Sequence, residues 1–103
     1  EVNLKNYPVL FMGDFNSEPS EARIIDLKTK MNDCRDISIQ KPFGPSGSFN
    51  NFEHHKPVTK LIDYIFINKK NAVEVLKYAI LSDSKDLKYP SDHLPIYVEI
   101  KLK

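Results

Sequence analysis

Acidic and amide side chains suited to phosphate chemistry follow the apolar run Val9–Met12. Asp14 and Asn16 come just past Gly13, with Phe15 between them. Alternation along an extended chain places Asp14 and Asn16 on the same side and Phe15 on the other. A carboxylate can face water or a metal ion, and an amide N–H can donate to a phosphoryl oxygen. An ordinary Asp/Asn turn after a strand would have the same residues, so both interpretations stay open for this stretch.

A second acidic residue, Asp63, lies inside the apolar run 61–67. Burying a charge in such a strand costs free energy unless a partner stabilises it. Backbone donors could be that partner. The alternative is a histidine, which the carboxylate would hold in one tautomer and stabilise as an imidazolium. We expect His93 to be this histidine, because His54 and His55 lie in a predicted polar loop with weaker sequence features.

The third acidic point is Asp92, directly before His93 and close to the start of an alternating C-terminal run. The segment 91–95 taken alone could be a helix cap or a turn. All three points, however, bring polar groups to a predicted strand or its end. We therefore expect one crevice to collect the side chains of Asp14, Asn16, Asp63, Asp92 and His93.

The elements that must position these side chains begin with Val9–Met12, which has the length and apolar character of a strand buried on both faces. Gly13 can end that strand, and Asp14 would then lie at the carboxyl end of a central strand. A helix is predicted over residues 20–31 from apolar residues at three- and four-residue steps. Ser17 or Ser20 can serve as its N-cap.

The rest of the chain is mostly strand and loop. We predict a buried strand over Lys60–Ile67, a strand rather than a helix over Ala72–Leu81, and a half-buried strand over Ile96–Leu102. A short strand is possible at Ser48–Phe52. Polar, proline- or glycine-containing connections are predicted at 32–38, 40–47, 53–59 and 82–90.

Composition limits the classes of protein to consider. The 103 residues suffice for one small domain. The net charge of +1 provides no overall electrostatic attraction to nucleic acid or membranes. The single cysteine, Cys34, excludes an internal disulfide and is expected to be a small buried side chain. No apolar run reaches the roughly 18 residues that a membrane span needs.

Three motifs in this order resemble the endonuclease/exonuclease/phosphatase superfamily: Gly-Asp-Phe-Asn at 13–16, Ile-Asp-Tyr-Ile-Phe at 62–66 and Ser-Asp-His-Leu-Pro at 91–95. The resemblance runs from about Pro8 to Lys101. It implies an α/β fold, the C-terminal part of a two-sheet, four-layer sandwich of mostly strands with one clear helix. It also implies a hydrolase of phosphate esters that depends on Mg²⁺ or Mn²⁺.

The resemblance assigns a role to each motif residue. Asp14 is similar to the carboxylate that activates the attacking water or touches the metal, and Asn16 to the amide that orients the phosphate. Asp63 is similar to the partner of the catalytic histidine, and His93 to the imidazole at the scissile phosphate. Asp92 is similar to a metal-site carboxylate.

A loop near the middle of the chain is also similar to part of this family. Ser48–Phe52 resembles a Thr-Phe-x-Gly-Phe loop that borders the substrate crevice, which makes Asn50 a candidate substrate contact. Asn51 stands where glycine is usual, and asparagine tolerates a positive φ better than most residues. The alternative is a loop anchored by two phenylalanines.

Two departures from the family pattern stand out. Leu61 occupies a place where Arg or Lys is frequent, with Lys60 one position earlier. The family's N-terminal half, which supplies a Glu metal ligand, has no counterpart here, because the first motif starts near residue 8. Residues 1–103 are therefore expected to be a single partial domain that associates with itself or with the missing N-terminal part.

The substrate class stays open at this stage. Nucleic acid, phospholipid and inositol phosphate are not distinguishable from these motifs. A non-catalytic remnant or interaction module of the same fold is the alternative to an enzyme. An independent nucleic-acid-binding domain is disfavoured by the absence of Trp and of a clustered basic stripe.

Overall fold

The computed structural model describes residues 7–69, 73–84 and 88–102. Across these ranges the elements are β1 (Leu10–Asp14), α1 (Ala22–Lys30), β2 (Met31–Asp33), α2 (Cys34–Ile37), β3 (Asp63–Asn68), β4 (Val73–Ile80) and β5 (Ile96–Leu102). A three-stranded antiparallel sheet has the order β1-β3-β2, and β4 pairs with β5 in a second antiparallel sheet. The architecture is a mostly β part of an α/β sandwich, as predicted.

Strand β3 is the centre of the first sheet and supplies much of the core. Tyr64, Phe66 and Ile67 are at most 2% exposed. The second sheet adds Val75 and Ile80 to the same cluster of apolar side chains. The buried strand predicted over 60–67 is confirmed, although it begins at Asp63 and not at Lys60.

Helix α1 lies inside the predicted span 20–31 and buries Ile24 completely. Its N-cap is Glu21, so the prediction of Ser17 or Ser20 at that position was wrong. Ser17 is instead fully buried, and its hydroxyl donates to the carbonyl of Phe15 at 3.0 Å. The Ser17 hydroxyl is therefore bonded to the chain upstream of the helix and does not cap it.

The prediction of a connection over residues 32–38 was wrong, because most of this segment belongs to β2 and α2. Strand β2 pairs with the far end of β3, with Asp33 opposite Phe66. Asp33 also caps α2 by accepting the N–H of Arg35 at 2.9 Å. Cys34 is fully buried, which confirms the prediction of a small buried side chain, and burial raises the pKa of its thiol to about 12.

Strand β1 differs most from its prediction. Within the described residues it pairs only with β3, so it is an edge strand and not a central one. Its side chains are exposed on both faces, with Phe11 50% and Met12 55% accessible. It also continues through Gly13, whose φ of 148° suits glycine, to end at Asp14. Apolar composition alone did not distinguish a covered strand from an uncovered one.

The predicted C-terminal strands are confirmed as β4 and β5, apart from Ala72, which lies outside the described residues. Ser48–Phe52 is not a strand. Phe49 makes isolated antiparallel bridges to Lys60 and His93, so the segment joins two other parts of the chain. None of the described helices is long and apolar enough to cross a membrane.

The difference between core and surface aromatics gives a stability prediction. Phe66 is fully buried and Phe43 is 72% exposed. We expect Phe66→Ala to lower the free energy of unfolding by about 3–5 kcal/mol, because it leaves a cavity in the core. Phe43→Ala, the matched control, should change it by less than about 0.5 kcal/mol. Urea denaturation measures both, and equal midpoints for the two variants would contradict the core assignment.

Candidate active site

The pairing of β1 with β3 brings two acidic side chains together. Asp14, the last residue of β1, lies directly opposite Asp63, the first residue of β3. The N–H of Phe15 donates to the carbonyl of Ile62 at 2.9 Å and extends the pairing past Asp14. Residues that face each other across an antiparallel pair point to the same side of the sheet. The two carboxylates are therefore neighbours by register.

His93 completes this arrangement from a loop before β5. Its Nδ1 lies 2.8 Å from Oδ2 of Asp63, and since an ionised carboxylate only accepts, Nδ1–H is the donor. This hydrogen bond confirms the expected Asp63–His93 pair. The other ring nitrogen, Nε2, lies 3.8 Å from Oδ2 of Asp14 and 4.0 Å from Oδ1 of Asp92.

Exposure differs between the two sides of the imidazole. The Asp63 side chain is 17% exposed, whereas Asp14 and Asp92 are 49% and 42% exposed. One ligand atom each from Asp14, Asp63 and His93 lie within 4.8 Å of one another. The ring is therefore anchored through Nδ1 on its covered side and presents Nε2 toward solvent, where a substrate can approach.

Asn16 is held beside this cluster by a tight turn. Its φ of 48° is in the left-handed region, which asparagine tolerates. Its backbone N–H donates to Oδ1 of Asp14 at 2.8 Å, which orients that carboxylate. The Asn16 residue is exposed. The five predicted site residues thus lie in one region, with Asn16 adjoining the cluster through its backbone.

Asn50 has a different environment from the one expected of a substrate contact. It is 6% exposed, and its amide donates to the carbonyl of Ser91 at 2.9 Å and accepts the N–H of Phe52 at 2.6 Å. Its backbone N–H donates to the carbonyl of Asp92 at 2.8 Å. These bonds occupy the side chain in holding the turn before His93. Asn51 has a φ of 51°, as its place in the loop predicted.

Three residues of the site were not singled out by the sequence. The ring of Phe49 contacts His93 edge-on, with centroids 5.3 Å apart. Nζ of Lys60 lies 5.6 Å from the Phe49 centroid, which places a cation near the site. Ser48 is fully buried between β3 and the segment that carries His93. Only the general likeness of 48–52 to a crevice loop indicated this region.

Two cavities adjoin the cluster. One of about 200 Å³ lies beside Asp63 between β1 and β5. The other, of about 160 Å³, is lined in part by His93. Apolar and proline side chains form most of the second wall, which is lined by Leu81, Asp83, Pro90, Ser91, His93, Leu94 and Pro95.

Electrostatics favour the charged form of His93. The hydrogen bond that His93 donates to Asp63 raises the pKa of His93, partial burial opposes the shift, and the charges of Asp63, Asp14 and Asp92 add to it. Because the pKa is raised in the folded state, protonation stabilises the fold below the ordinary value of about 6.5. That stabilisation is lost as the pH rises through the raised value.

We expect Asp63→Asn to lower the pKa of His93, because it removes the negative charge of the group that accepts the Nδ1–H hydrogen bond. The pH at which the stabilisation is lost should fall accordingly. Histidine NMR titration of the metal-free protein measures the pKa, with Asp26→Asn on the exposed face of α1 as the control. An unchanged pKa in Asp63→Asn would show that the pair does not control this titration.

Comparison with solved structures supports the fold. A functionally unknown conserved protein from Enterococcus faecalis V583 is 37% identical, with a TM-score of 0.82 over 96% of this chain and 38% of that chain. The mannosyl-6-phosphatase Bt3783 of Bacteroides thetaiotaomicron VPI-5482 is 27% identical, with a TM-score of 0.81 over 97% of this chain and 40% of that chain. The chain therefore spans about two fifths of these relatives.

A curated relative matches a shorter stretch. The RNA-directed RNA polymerase catalytic subunit of Thogoto virus (isolate SiAr 126) is 39% identical over 75 residues, which are 73% of this chain and 10% of that protein. The sequence profile of the Endonuclease/Exonuclease/phosphatase family matches a longer stretch, residues 2–93. That match includes the first two motifs, the third motif as far as His93, and the complete Asp14–Asp63–His93 cluster. The chain belongs to the Endonuclease/Exonuclease/phosphatase family.

Proposed function

We propose that this chain carries part of the catalytic centre of a Mg²⁺-dependent hydrolase of phosphate esters. The observation that supports this most is the His93 imidazole, bonded to Asp63 through Nδ1 and open toward Asp14 through Nε2. A ring held in this way presents a protonated nitrogen at a fixed place. Phosphate-ester hydrolysis needs such a group, since negative charge grows on the phosphoryl oxygens in the transition state.

His93 acts as the electrostatic partner of the phosphoryl group. Its protonated Nε2–H donates to a phosphoryl oxygen and balances the developing charge. Asp63 keeps the proton on Nδ1 and stabilises the imidazolium, as the acidic member of a triad does. Asp63 itself need not touch the substrate, because its role is to orient the ring and maintain its charge.

Asp14 and Asn16 act on the other reacting groups. The Oδ2 atom of Asp14 accepts a hydrogen bond from the attacking water, which directs a lone pair of the water oxygen toward phosphorus. The Asn16 amide donates to a non-bridging oxygen and orients the phosphate. The bond from the Asn16 N–H to Oδ1 of Asp14 couples the placement of these two groups.

The donor set suits a divalent cation. Three carboxylates, from Asp14, Asp63 and Asp92, surround one imidazole, so the cluster stays negative even when His93 is protonated. Mg²⁺ prefers such oxygen ligands and retains several waters. Asp14 and Asp92, both exposed, would hold it. A bound Mg²⁺ would supply Lewis-acid stabilisation of charge on the phosphoryl oxygens.

The comparisons support phosphate esters as the substrate class. The mannosyl-6-phosphatase among the solved relatives is named for a phosphate ester of a sugar. In this chain, the cavity of about 160 Å³ beside His93 offers room for the alcohol portion of a substrate. We propose that the substrate is a phosphodiester or a phosphomonoester, such as a nucleic acid, a phospholipid or an inositol phosphate. Asn16 contacts the phosphate group during its hydrolysis.

Mutation of the pair tests the proposal in the intact protein. His93→Gln and Asp63→Asn should each lower kcat for Mg²⁺-dependent hydrolysis about 10²- to 10⁴-fold, because the protonated imidazole is lost or misplaced. His55→Gln, an exposed histidine outside the cluster, is the matched control and should retain activity. Chelation with EDTA should abolish turnover, and Mg²⁺ should restore it.

The opposite result would favour the alternative function. An intact protein that folds and binds Mg²⁺ but hydrolyses neither generic diesters nor monoesters would be a non-catalytic interaction module of this fold. Near-normal turnover by Asp63→Asn would remove Asp63 from the mechanism while leaving the enzyme proposal in place.

The exposed apolar side chains of β1 predict the behaviour of the 103-residue chain alone. Exposed strand edges and apolar patches recruit other chains. We expect this chain to associate with itself, to hydrolyse substrate poorly, and to gain activity when a segment supplying the upstream metal ligand is added. Sedimentation velocity and a phosphodiesterase assay measure these effects.

A pair of variants makes the association test specific. Phe11→Glu on β1 should reduce association, whereas Ile25→Glu on α1, where the side chain is similarly exposed, should not. A monomer at all concentrations that turns over substrate unaided would contradict both parts of the prediction.

A further inference from the structure

Ser48 lies between the two segments that carry the Asp63–His93 pair. Its side chain is fully buried. Its hydroxyl oxygen accepts the backbone N–H of Ile62 and the backbone N–H of Asp63, each at 3.1 Å. One hydroxyl therefore satisfies two backbone donors at the start of β3, and one of those donors belongs to Asp63 itself.

The backbone of Ser48 reaches the other member of the pair. Its carbonyl accepts the N–H of Leu94, next to His93, at 2.7 Å, and its own N–H donates to the carbonyl of Lys60 at 2.9 Å. Phe49 makes antiparallel bridges to both Lys60 and His93. Ser48 is thus bonded to the chain at Asp63 through its side chain and to the chain at His93 through its backbone.

The Asp63–His93 bond joins residues 30 positions apart in the sequence. Its strength depends on distance and angle, which are set by how the two backbone segments lie against each other. We propose that Ser48 is a positioning residue that fixes this separation through its hydroxyl. The inference rests on the proposed function for its kinetic consequences, but the bond it concerns is measurable without turnover.

Ser17 shows what a buried serine does without such a role. It is also fully buried, and its hydroxyl donates to the carbonyl of Phe15, two residues away, at 3.0 Å. Its side chain has no bond to either segment of the Asp63–His93 pair. Ser17→Ala and Ser48→Ala each remove one buried hydroxyl, but only Ser48→Ala leaves the N–H groups of Ile62 and Asp63 without their acceptor.

The experiment compares Ser48→Ala, Ser48→Thr and Ser17→Ala in the intact protein. We expect Ser48→Ala to lower kcat about 10- to 10²-fold, as expected for a small displacement of a catalytic group, with little change in KM. Ser48→Thr keeps the hydroxyl and should recover most of the activity. Ser17→Ala should change kcat less than twofold.

NMR supplies a readout that a merely structural role would not move. The Nδ1–H proton of His93 should give a protected downfield signal in the wild type and in Ser17→Ala. The signal should weaken or vanish in Ser48→Ala, and exchange at the Asp63 amide should accelerate. Ser48→Cys, which keeps the volume but is a weak acceptor, should behave like Ser48→Ala and serves as the test if that variant fails to fold.

Several outcomes would overturn the inference. A wild-type His93 signal with wild-type kcat in folded Ser48→Ala or Ser48→Cys would show that the hydroxyl does not position the pair. An equal loss of kcat and signal in Ser17→Ala would show a general effect of lost stability. If the wild type hydrolyses no phosphate ester, the proposed function fails, and the NMR comparison still decides whether Ser48 holds Asp63 against His93.

Discussion

Asp14 and Asp63 face each other across the β1–β3 pair, so the sheet register places two carboxylates side by side. Like charges directly opposite one another destabilise a strand pair unless a cation lies between them. His93 meets that need, because Nδ1 bonds Asp63 and Nε2 lies 3.8 Å from Asp14. The position of the loop that carries His93, before β5, therefore depends on the register of β1 and β3, which belong to the other sheet.

Differences in burial give three chemically identical carboxylates different environments. Asp63 is the least exposed of the three carboxylates, and the lower dielectric around it strengthens its bond to the imidazole. Asp14 and Asp92 are more than twice as exposed, so their oxygens remain available to water or a metal ion. Two roles for one residue type then follow from environment alone, as in other paired carboxylate sites.

The contact between Asp63 and His93 could be predicted because a charge inside an apolar run requires a partner, and few partners were available. Helix α1 and strand β5 were predictable from periodicity. Strand β2 and helix α2 were not, since β2 forms by pairing with β3 and the short helix α2 is capped by Asp33, the last residue of β2. The contacts of Ser48 could not be predicted from the sequence either, because its hydroxyl accepts hydrogen bonds from backbone N–H groups 14 and 15 positions away.

The site is not equally constrained throughout. Ser48, Phe49 and Asn50 hold Asp63 and the loop of His93 through buried hydrogen bonds and a ring contact, so this pair is well supported within the described residues. Asp14 lies at the end of an exposed edge strand whose apolar side chains face solvent on both sides. Packing against those side chains would restrict β1 and, with it, the carboxylate opposite Asp63. Placement of Asp14, the proposed water-directing residue, is therefore the part of the site most sensitive to what covers β1.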